Sequence, residues 1–408
     1  MIDKSVEKNM KILITATTYP TSSIDNQPQF VHNLAKELAS SFEVHVLVPR
    51  AGDLGALNER IDGVHIIRYP YFFKKFETLA YGSGILENLK KNRWNYALIP
   101  FLVLSQWFFV IKIVRKYQIQ AINAHWIIPQ GIIAILAKIF LKEKPKLIIT
   151  SHGADLFALN GGILKKIKSW VINKADIFTV VSMAMKNYCR RELHINNSDS
   201  IVVRSMGVDL EKLFIKKTRF EDRENVIFVG RLVEKKGLFV LIEAARILKQ
   251  RKRNLKISIV GSGRLLEQLE KLVKEYQLSS FVVFLGVKSQ IQIADLLNQH
   301  KVFIMPSIIG TDGDQEGLGL VAVEAMGCGC AVLVSNLAAV KDVVKDGQNG
   351  VMFEAGDSLA LANNLEKLLI DDELCKRLSE VGHDFVKSEF DWSVVGNEYR
   401  RLLKLLVT

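Results

Sequence analysis

The sequence predicts an α/β protein built from two doubly wound, Rossmann-like parallel sheets. Three observations predict it. Short apolar, β-branched runs alternate with helical patterns over the first two hundred residues. The alternation stops at a charged, irregular stretch, Gly207 to Glu224, and then restarts. Glycine-rich and charged turns fall directly after strands, where open α/β sheets take their ligands.

Each element follows in order. Lys11 to Thr17, KILITAT, is a first strand, followed by a loop from Thr18 to Pro28. A helix runs from about Phe30 to Ser40, with Phe30, Leu34 and Leu38 on one side. Phe42 to Val48 and His65 to Tyr69 are strands. The run Ala97 to Val114, ALIPFLVLSQWFFVIKIV, is nearly long enough to span a bilayer, but Pro100, Ser105, Gln106 and Lys112 interrupt it. It reads as a helix between two strands, buried or lying partly on the surface. Gln120 to Ala124 is a strand, Gln130 to Leu141 a helix, and Leu147 to Ser151 and Ile177 to Val181 are strands. Past the charged stretch, which reads as a linker, strands are expected at Val226–Val229, Lys256–Val260, Val282–Phe284, Val302–Met305 and Ala331–Ser335. Helices are expected at Leu238–Gln250 and Leu265–Tyr276, and from Gly319 to a glycine stop at Gly327 and Gly329. Phe390 to Leu406 is a final long helix. The expected domains are residues 1–207, completed by 391–408, and residues 208–390.

Composition narrows the class. Of the 408 residues, 49% are apolar and 24% charged, which suits a globular chain and not a disordered one. The first ten residues, MIDKSVEKNM, are too polar for a signal peptide. The four cysteines form no C-x-x-C and have no histidine cluster, so they read as reduced, buried thiols in a cytoplasmic protein, with no metal site. Charge is uneven. Residues 1–207 carry 27 Lys and Arg against 15 Asp and Glu, whereas the remainder balances at 28 against 28. The excess is clustered, as at Lys112, Arg115 and Lys116, at Lys142, Lys144 and Lys146, at Lys165, Lys166 and Lys168, and at Arg190 and Arg191. Several clusters adjoin apolar runs, a pattern that suits docking on an anionic membrane surface. A basic surface serving solubility is the competing reading. No nucleic-acid motif accompanies the charge.

Five stretches carry candidate chemistry. Pro306 to Asn336 holds Glu316 and Glu324, with seven residues between them. Eight helical steps rise about 12 Å and return to nearly the same face, so the two acids would reach two ends of an elongated ligand. A two-carboxylate hydrolase would want them about 5–9 Å apart. In VGRLVEKKGL, Gly230 and Gly237 admit a close backbone approach, Arg231 offers a planar fork and Lys236 a point charge. With the helix start that follows, they make a diphosphate cradle. His152 stands at a strand end beside Gly153, with Asp155 three residues on. His125-Trp126 and Gly261-Ser262-Gly263 also follow strands, and Trp126 and Pro129 read as packing.

These pieces resemble family 4 of the retaining glycosyltransferases, which have the GT-B fold. The matching segments are His-Gly-x-Asp at 152–155, MGVD at 206–209, VGRLVEKKG at 229–237, VGSG at 260–263, FLG at 284–286, MPS at 305–307, EGLGLVAVEAMGCG at 316–329 and FDW at 390–392. The resemblance implies two Rossmann-like domains facing across a cleft, with the last helix returning to the first. It implies that Arg231 and Lys236 hold the donor diphosphate, that Glu324 bonds the ribose hydroxyls and that Glu316 meets the donor sugar. His152 would contact that sugar near its anomeric centre, and residues around Val287 would meet the base. Gly230, Gly261 and the turn Gly317-Leu318-Gly319 complete the donor side, and Asp155 and His125 are acceptor-side candidates. Two loops depart from the family pattern: TYPTSSIDNQPQF after the first strand has no glycine, and Leu337-Ala338-Ala339 stands where relatives often carry Gly-Gly.

The expected function is transfer of a hexosyl unit, with retention, from a UDP or GDP sugar to a saccharide or lipid-linked acceptor in polysaccharide or glycolipid synthesis. The enzyme would be cytoplasmic and peripheral at the inner membrane face, with no nucleic-acid partner. Asp312-Gly313-Asp314 looks like the Asp-x-Asp of metal-dependent transferases. The two cations already supply the charge, so neither metal nor cofactor is expected. The alternatives are a GT-B nucleotide-sugar epimerase or hydrolase, and a catalytically silent nucleotide-sugar-binding subunit.

Overall fold

The computed structural model describes residues 10–21, 29–52, 54–80, 84–157, 161–195, 200–253 and 255–407. Most of the glycine-free loop after the first strand, residues 22–28, lies outside them. The chain divides into two compact units. Unit 1 comprises residues 1–181, 185–207 and 395–408, and unit 2 residues 182–184 and 208–394.

Unit 1 contains β1 (Lys11–Thr15), α1 (Phe30–Ala39), β2 (Glu43–Pro49), β3 (Asn58–Ile61), β4 (Val64–Tyr69), α2 (Ile85–Lys91), α3 (Ile99–Tyr117), β5 (Ala121–His125) and α4 (Ile132–Phe140). There follow β6 (Lys146–Ser151), the short α5 (Ala154–Phe157), α6 (Gly162–Lys174), β7 (Ile177–Val180), α7 (Met183–Glu192, whose first two residues fall in unit 2) and β8 (Ile201–Val203). The strands form one sheet in the order β3-β4-β2-β1-β5-β6-β7-β8, parallel except for β3. The central strands are apolar and buried on both faces, as the interior strands of a doubly wound sheet must be. The β3–β4 hairpin escapes the pattern reading, although Asp62-Gly63 signals it. Both residues have positive φ, as a two-residue hairpin turn requires.

Pro100, expected as an interruption, instead sits in the first turn of α3, where a missing N–H costs nothing. That helix buries Leu102, Gln106, Val110, Ile113 and Val114. Gln106 is buried in this helix, and its side-chain carbonyl accepts from the Tyr69 hydroxyl at 3.0 Å.

Unit 2 contains β9 (Glu224–Val229), α8 (Leu238–Gln250), β10 (Ile257–Val260), α9 (Leu266–Glu275), β11 (Val282–Gly286), α10 (Gln290–Gln299), β12 (His300–Met305), α11 (Leu320–Gly327), β13 (Ala331–Ser335) and β14 (Val351–Phe353). Three helices end the chain: α12 (Ser358–Ile370), α13 (Asp372–Phe390) and α14 (Trp392–Val407). The sheet order is β11-β10-β9-β12-β13-β14, all parallel. Strand order therefore reverses between β9 and β12. Their carboxyl ends splay connections to opposite sides and leave a crevice there.

Three expectations need correction. Residues 207–224 are not a free linker. Leu210, Phe214 and Phe220 are buried, and a Cβ on Gly327 would lie 2.3 Å from Leu210 Cδ2. Residues 391–394 stay with unit 2, where Asp391 accepts from the Leu210 N–H at 3.2 Å. Only residues 395–408 join unit 1, through buried Tyr399 and through Arg400, which donates to the Glu37 carbonyl at 2.8 Å. Lys168 is also no part of a surface cluster. It is fully buried and donates to the Leu156 carbonyl at 2.8 Å. The four cysteines are all buried and unbridged.

Candidate active site

The donor-side candidates assemble at the carboxyl ends of β9, β10, β11 and β12, on both sides of the strand-order reversal. The turn after β9 carries Gly230, Arg231 and Lys236, and the loop after β12 carries Glu316 and the Gly317-Leu318-Gly319 turn. Lys236 Nζ donates to both Glu316 oxygens, at 2.5 and 3.2 Å, although 80 residues separate them. Glu324 lies in the second turn of α11. Glu316 is in the loop ahead of that helix and not on it, so the 12 Å helical spacing does not describe the pair.

Glycine makes this convergence sterically possible. Gly261, at φ +134°, would place a Cβ 1.9 Å from the Gly230 carbonyl oxygen. Gly237, at φ +64°, would place one 1.8 Å from the Pro306 carbonyl oxygen. The loops after β9, β10 and β12 therefore touch backbone to backbone, and any side chain at these two positions would push them apart.

Residues the sequence reading passed over lock the β12 loop. Lys235 donates to Asp314 Oδ1 at 3.0 Å and to the Gln315 carbonyl at 3.3 Å. Glu234 accepts from the Thr311 N–H at 3.0 Å and from its hydroxyl at 3.1 Å. Asp312 accepts from the Asp314 N–H at 3.0 Å. The carboxylates of Asp312-Gly313-Asp314 thus shape the loop. No group of three or more metal-ligating side chains occurs among the described residues. Adjacent lysines with opposite neighbours, Lys235 and Lys236, were the available signal: both have acids in the β12 loop as partners.

The electrostatics separate the two glutamates. Burial pushes the Glu316 carboxyl up, but Lys236 and then Lys235 outweigh it, with Arg231 contributing, and the net shift is downward. Glu316 is therefore ionised. Glu324 is pushed up to about 8, because burial is offset only by Lys236. Neither Glu324 nor Arg231 has a hydrogen-bond or ion-pair partner among the described residues. Arg231 is exposed, and α8 and α11 begin with Gly237 and Gly319 as caps, with no side chain bonding to the first N–H groups. Unsatisfied helix-start donors beside an unpaired guanidinium and an ammonium are what an anion needs. Val287 is exposed just past β11.

In unit 1, β5 ends at His125 and β6 at Ser151, the residue before His152. The two imidazoles lie parallel, 5.1 Å apart, with His125 Nδ1 2.8 Å from His152 Nε2. Phe30 and Trp126 close around His152, with ring centroids at 4.7 and 5.3 Å. Trp126 is thus part of the histidine's surroundings and not simply core packing. Burial pushes His125 down to about 3 and, with the neighbouring His125, holds His152 well below the ordinary range. Both rings are neutral at pH 7. Asp155 is not ligand-facing. It is buried, with one oxygen accepting from the Ile127 N–H at 2.7 Å and the other from the Ser151 hydroxyl at 2.8 Å and the His152 N–H at 3.3 Å. It fixes the turn on which His152 stands. His125, fully buried, backs His152 and does not present its own ring to a ligand.

Comparison with known proteins bears on the family and the fold. The family model for glycosyltransferase family 4 matches residues 27–212, and that for glycosyl transferases group 1 matches residues 209–385. A full-length relative is the uncharacterized glycosyltransferase MJ1178 of Methanocaldococcus jannaschii, 27% identical, with 94% of this chain and 95% of that one aligned. The putative colanic acid biosynthesis glycosyltransferase WcaL of Escherichia coli is 33% identical over about half of each chain, 51% of this one and 52% of that one. Among solved structures, Anabaena Alr3699/HepE, in complex with UDP and glucose, superposes with a TM-score of 0.73 at 17% identity, over 97% of this chain and 100% of that one. The fold is GT-B, and the chain belongs to the family 4 glycosyltransferases. It is a glycosyltransferase enzyme.

Proposed function

We propose that this enzyme transfers a hexosyl unit from a nucleoside-diphosphate sugar to a saccharide or lipid-linked saccharide acceptor, with retention of configuration and without a metal. The observation that carries the reading is that Lys236 after β9 bonds Glu316 after β12, with Arg231 acting on the same carboxylate and two helix starts without side-chain caps following these loops. WcaL is named for colanic acid biosynthesis, and HepE was solved with UDP and glucose. These support a polysaccharide or glycolipid product and a UDP sugar, with GDP the other base considered. The proposed setting is the cytoplasm, at the inner face of a membrane.

The chemistry follows from where charge develops. Breaking the sugar–phosphate bond puts negative charge on the diphosphate and partial positive charge on the ring. Arg231 and Lys236 meet the first, and one well-placed donor of this kind is worth about 3 kcal/mol in the barrier. Lys236 has three N–H donors, so it can turn to a phosphate oxygen while keeping a bond to Glu316. Glu316, held ionised, is then aligned towards the donor sugar. Glu324 is the hydroxyl-binding acid for the ribose, and the exposed surface at Val287 is the base contact. In unit 1 the neutral His152 offers a sugar hydroxyl a donor or an acceptor, oriented by His125 and by the Asp155 turn.

The test is kinetic. Lys236→Ala and Glu316→Ala should each lower transfer at least a thousandfold, measured with a UDP-sugar and any acceptor that supports turnover. Wild-type thermal stability should rise with UDP, GDP or ADP, whichever base is used, because only the folded chain binds it. Near wild-type rates in both variants would overturn the assignment. Free sugar appearing at the same rate with and without acceptor would replace transfer by hydrolysis.

A further inference from the structure

A surface helix of a globular unit is expected to turn charged residues outward. The helix α3 does the reverse over its first three turns. Its inner face is buried in unit 1, but its outward positions are Phe101, Leu104 and Phe108, which are 48, 62 and 57% exposed. The same outward stripe continues as Lys112, Arg115 and Lys116. The helix is long and apolar enough to cross a membrane by length and composition. Its inner face, however, is committed to the unit: Gln106 pairs with Tyr69, and Ser105 Oγ donates to the Pro70 carbonyl. The outer face alone remains for a partner.

The neighbours extend this face. Phe72 packs against Phe101 with ring centroids 4.8 Å apart and leads a loop that carries Phe73 and Phe76, both exposed. Trp94, 83% exposed, stands in the turn that opens α3. On the far side Trp107 meets the ring of Phe140 at 5.2 Å, at the end of α4, and Ile139 beside it is exposed. A whole aromatic side chain offers about 150–250 Å², so these exposed fractions expose roughly 600 Å² or more of apolar surface, beyond what a typical monomer shows.

Charge identifies the occupant. Between residues 70 and 144 the chain has eleven lysines and arginines against three glutamates. One of those acids, Glu77, is buried against Arg50. Lys75, Arg93, Lys112 and Lys142 are exposed beside the aromatic positions. An apolar, aromatic centre with a basic rim matches the acyl boundary and phosphate layer of an anionic bilayer, where Trp, Phe and Leu insert and Lys and Arg meet headgroups. A protein partner would call for a polar rim of mixed sign and for fewer lysines.

We propose that the outward face of α3, with the Phe72–Phe76 loop, the Trp94 turn and the end of α4, is a docking surface for anionic phospholipid bilayers. It gives the proposed lipid-linked acceptor a physical reason, and in that sense rests on the reading above. The binding itself needs no donor and is tested without one.

The experiment is co-sedimentation of the full chain with phosphatidylcholine vesicles, with and without phosphatidylglycerol. Wild type should bind the anionic vesicles at least tenfold more tightly than the neutral ones, and added salt should weaken that binding. Phe101→Ser with Phe108→Ser, and separately Lys75→Glu with Lys112→Glu, should each lower anionic-vesicle binding at least tenfold while nucleotide binding stays at the wild-type level. Lys236→Ala should bind vesicles as wild type does, so a failure of docking and a failure of the catalytic assignment are read separately. Unchanged vesicle binding in both double variants overturns the proposal. So does resistance of the bound protein to alkaline carbonate, which would mean a spanning helix. A sedimentation-velocity dimer that the Phe101→Ser, Phe108→Ser change converts to monomer also overturns it, by assigning the face to a second copy.

Discussion

At the scale of single residues, the two glutamates of the β12 segment show how environment divides one chemical group into two roles. Glu316 sits under Lys236 and stays ionised, whereas Glu324 has no partner among the described residues and is pushed up to about 8. The two therefore act oppositely on stability. Glu316, depressed, adds stability that is present above its unfolded value near 4.5 and is lost as pH falls through the folded value. Glu324, raised, holds a proton in the folded state between about pH 4.5 and 8 that the unfolded chain has released, so stability falls as pH rises through that window. Glu324→Gln should remove this fall. Melting temperatures between pH 5 and 8.5 should decline in wild type and stay flatter in the variant, and under the proposed ribose contact UDP affinity should drop about tenfold. An identical decline in both proteins would show that burial does not raise the Glu324 carboxyl. Asp155 gives the converse lesson. A strand-end carboxylate three residues past a histidine looks like chemistry, yet each of its oxygens is taken by the backbone or by Ser151.

At the scale of elements, the site depends on three loops meeting without side chains between them. Gly237 is the sharpest case, since it combines a left-handed backbone with contact to the Pro306 carbonyl. Gly237→Ala should destabilise unit 2 by about 2–3 kcal/mol, because backbone strain and overpacking both act there. Urea unfolding measures it, and a loss below about 0.5 kcal/mol would mean that the β9 and β12 loops are not in contact. The β12 loop owes its shape to Glu234 and Lys235, which bond Thr311 and Asp314. Periodicity cannot reveal such residues, because their partners lie about 80 positions away. The helices and strands themselves were far more legible. Alternation located nearly every parallel strand, and the glycines at 327 and 329 marked the end of α11 within a residue. It failed at the β3–β4 hairpin, whose four-residue strand NERI is charged and only partly covered. Pro100, read as an interruption of the apolar run, instead opens the helix.

At the scale of the molecule, the chain runs through unit 1, then unit 2, and returns residues 395–408 to unit 1. Tyr399 is fully buried there and Leu403 is buried beside it, so the segment is part of the unit 1 core. Deleting residues 395–408 should therefore weaken unit 1 and spare unit 2. Hydrogen exchange should show protection lost in β7 and β8, near Arg204 whose carbonyl meets Tyr399, and kept in β9 and β12. Uniform protection in the truncated chain would show the segment to be dispensable. The net charge has the same layered origin. The basic excess of residues 1–207 is plain from composition, but Lys168 belongs to the interior, and only the folded unit shows which lysines rim the aromatic face.

The amino-acid sequence alone determined the two-sheet class and the order of most elements, and it located Arg231, Lys236, Glu316 and Glu324 after strands. Those rest on local patterns: alternation, helix stops, and glycine or charge directly after a strand. The tertiary structure decided which of these side chains are buried and partnered and which are left open. It made Asp155 and His125 supports, set Lys235 to lock a loop, and turned Phe101, Leu104 and Phe108 outward. The physical reason is that burial and partner choice are set by chain segments distant in sequence. A side chain's ionisation and orientation follow from those contacts, not from its immediate neighbours.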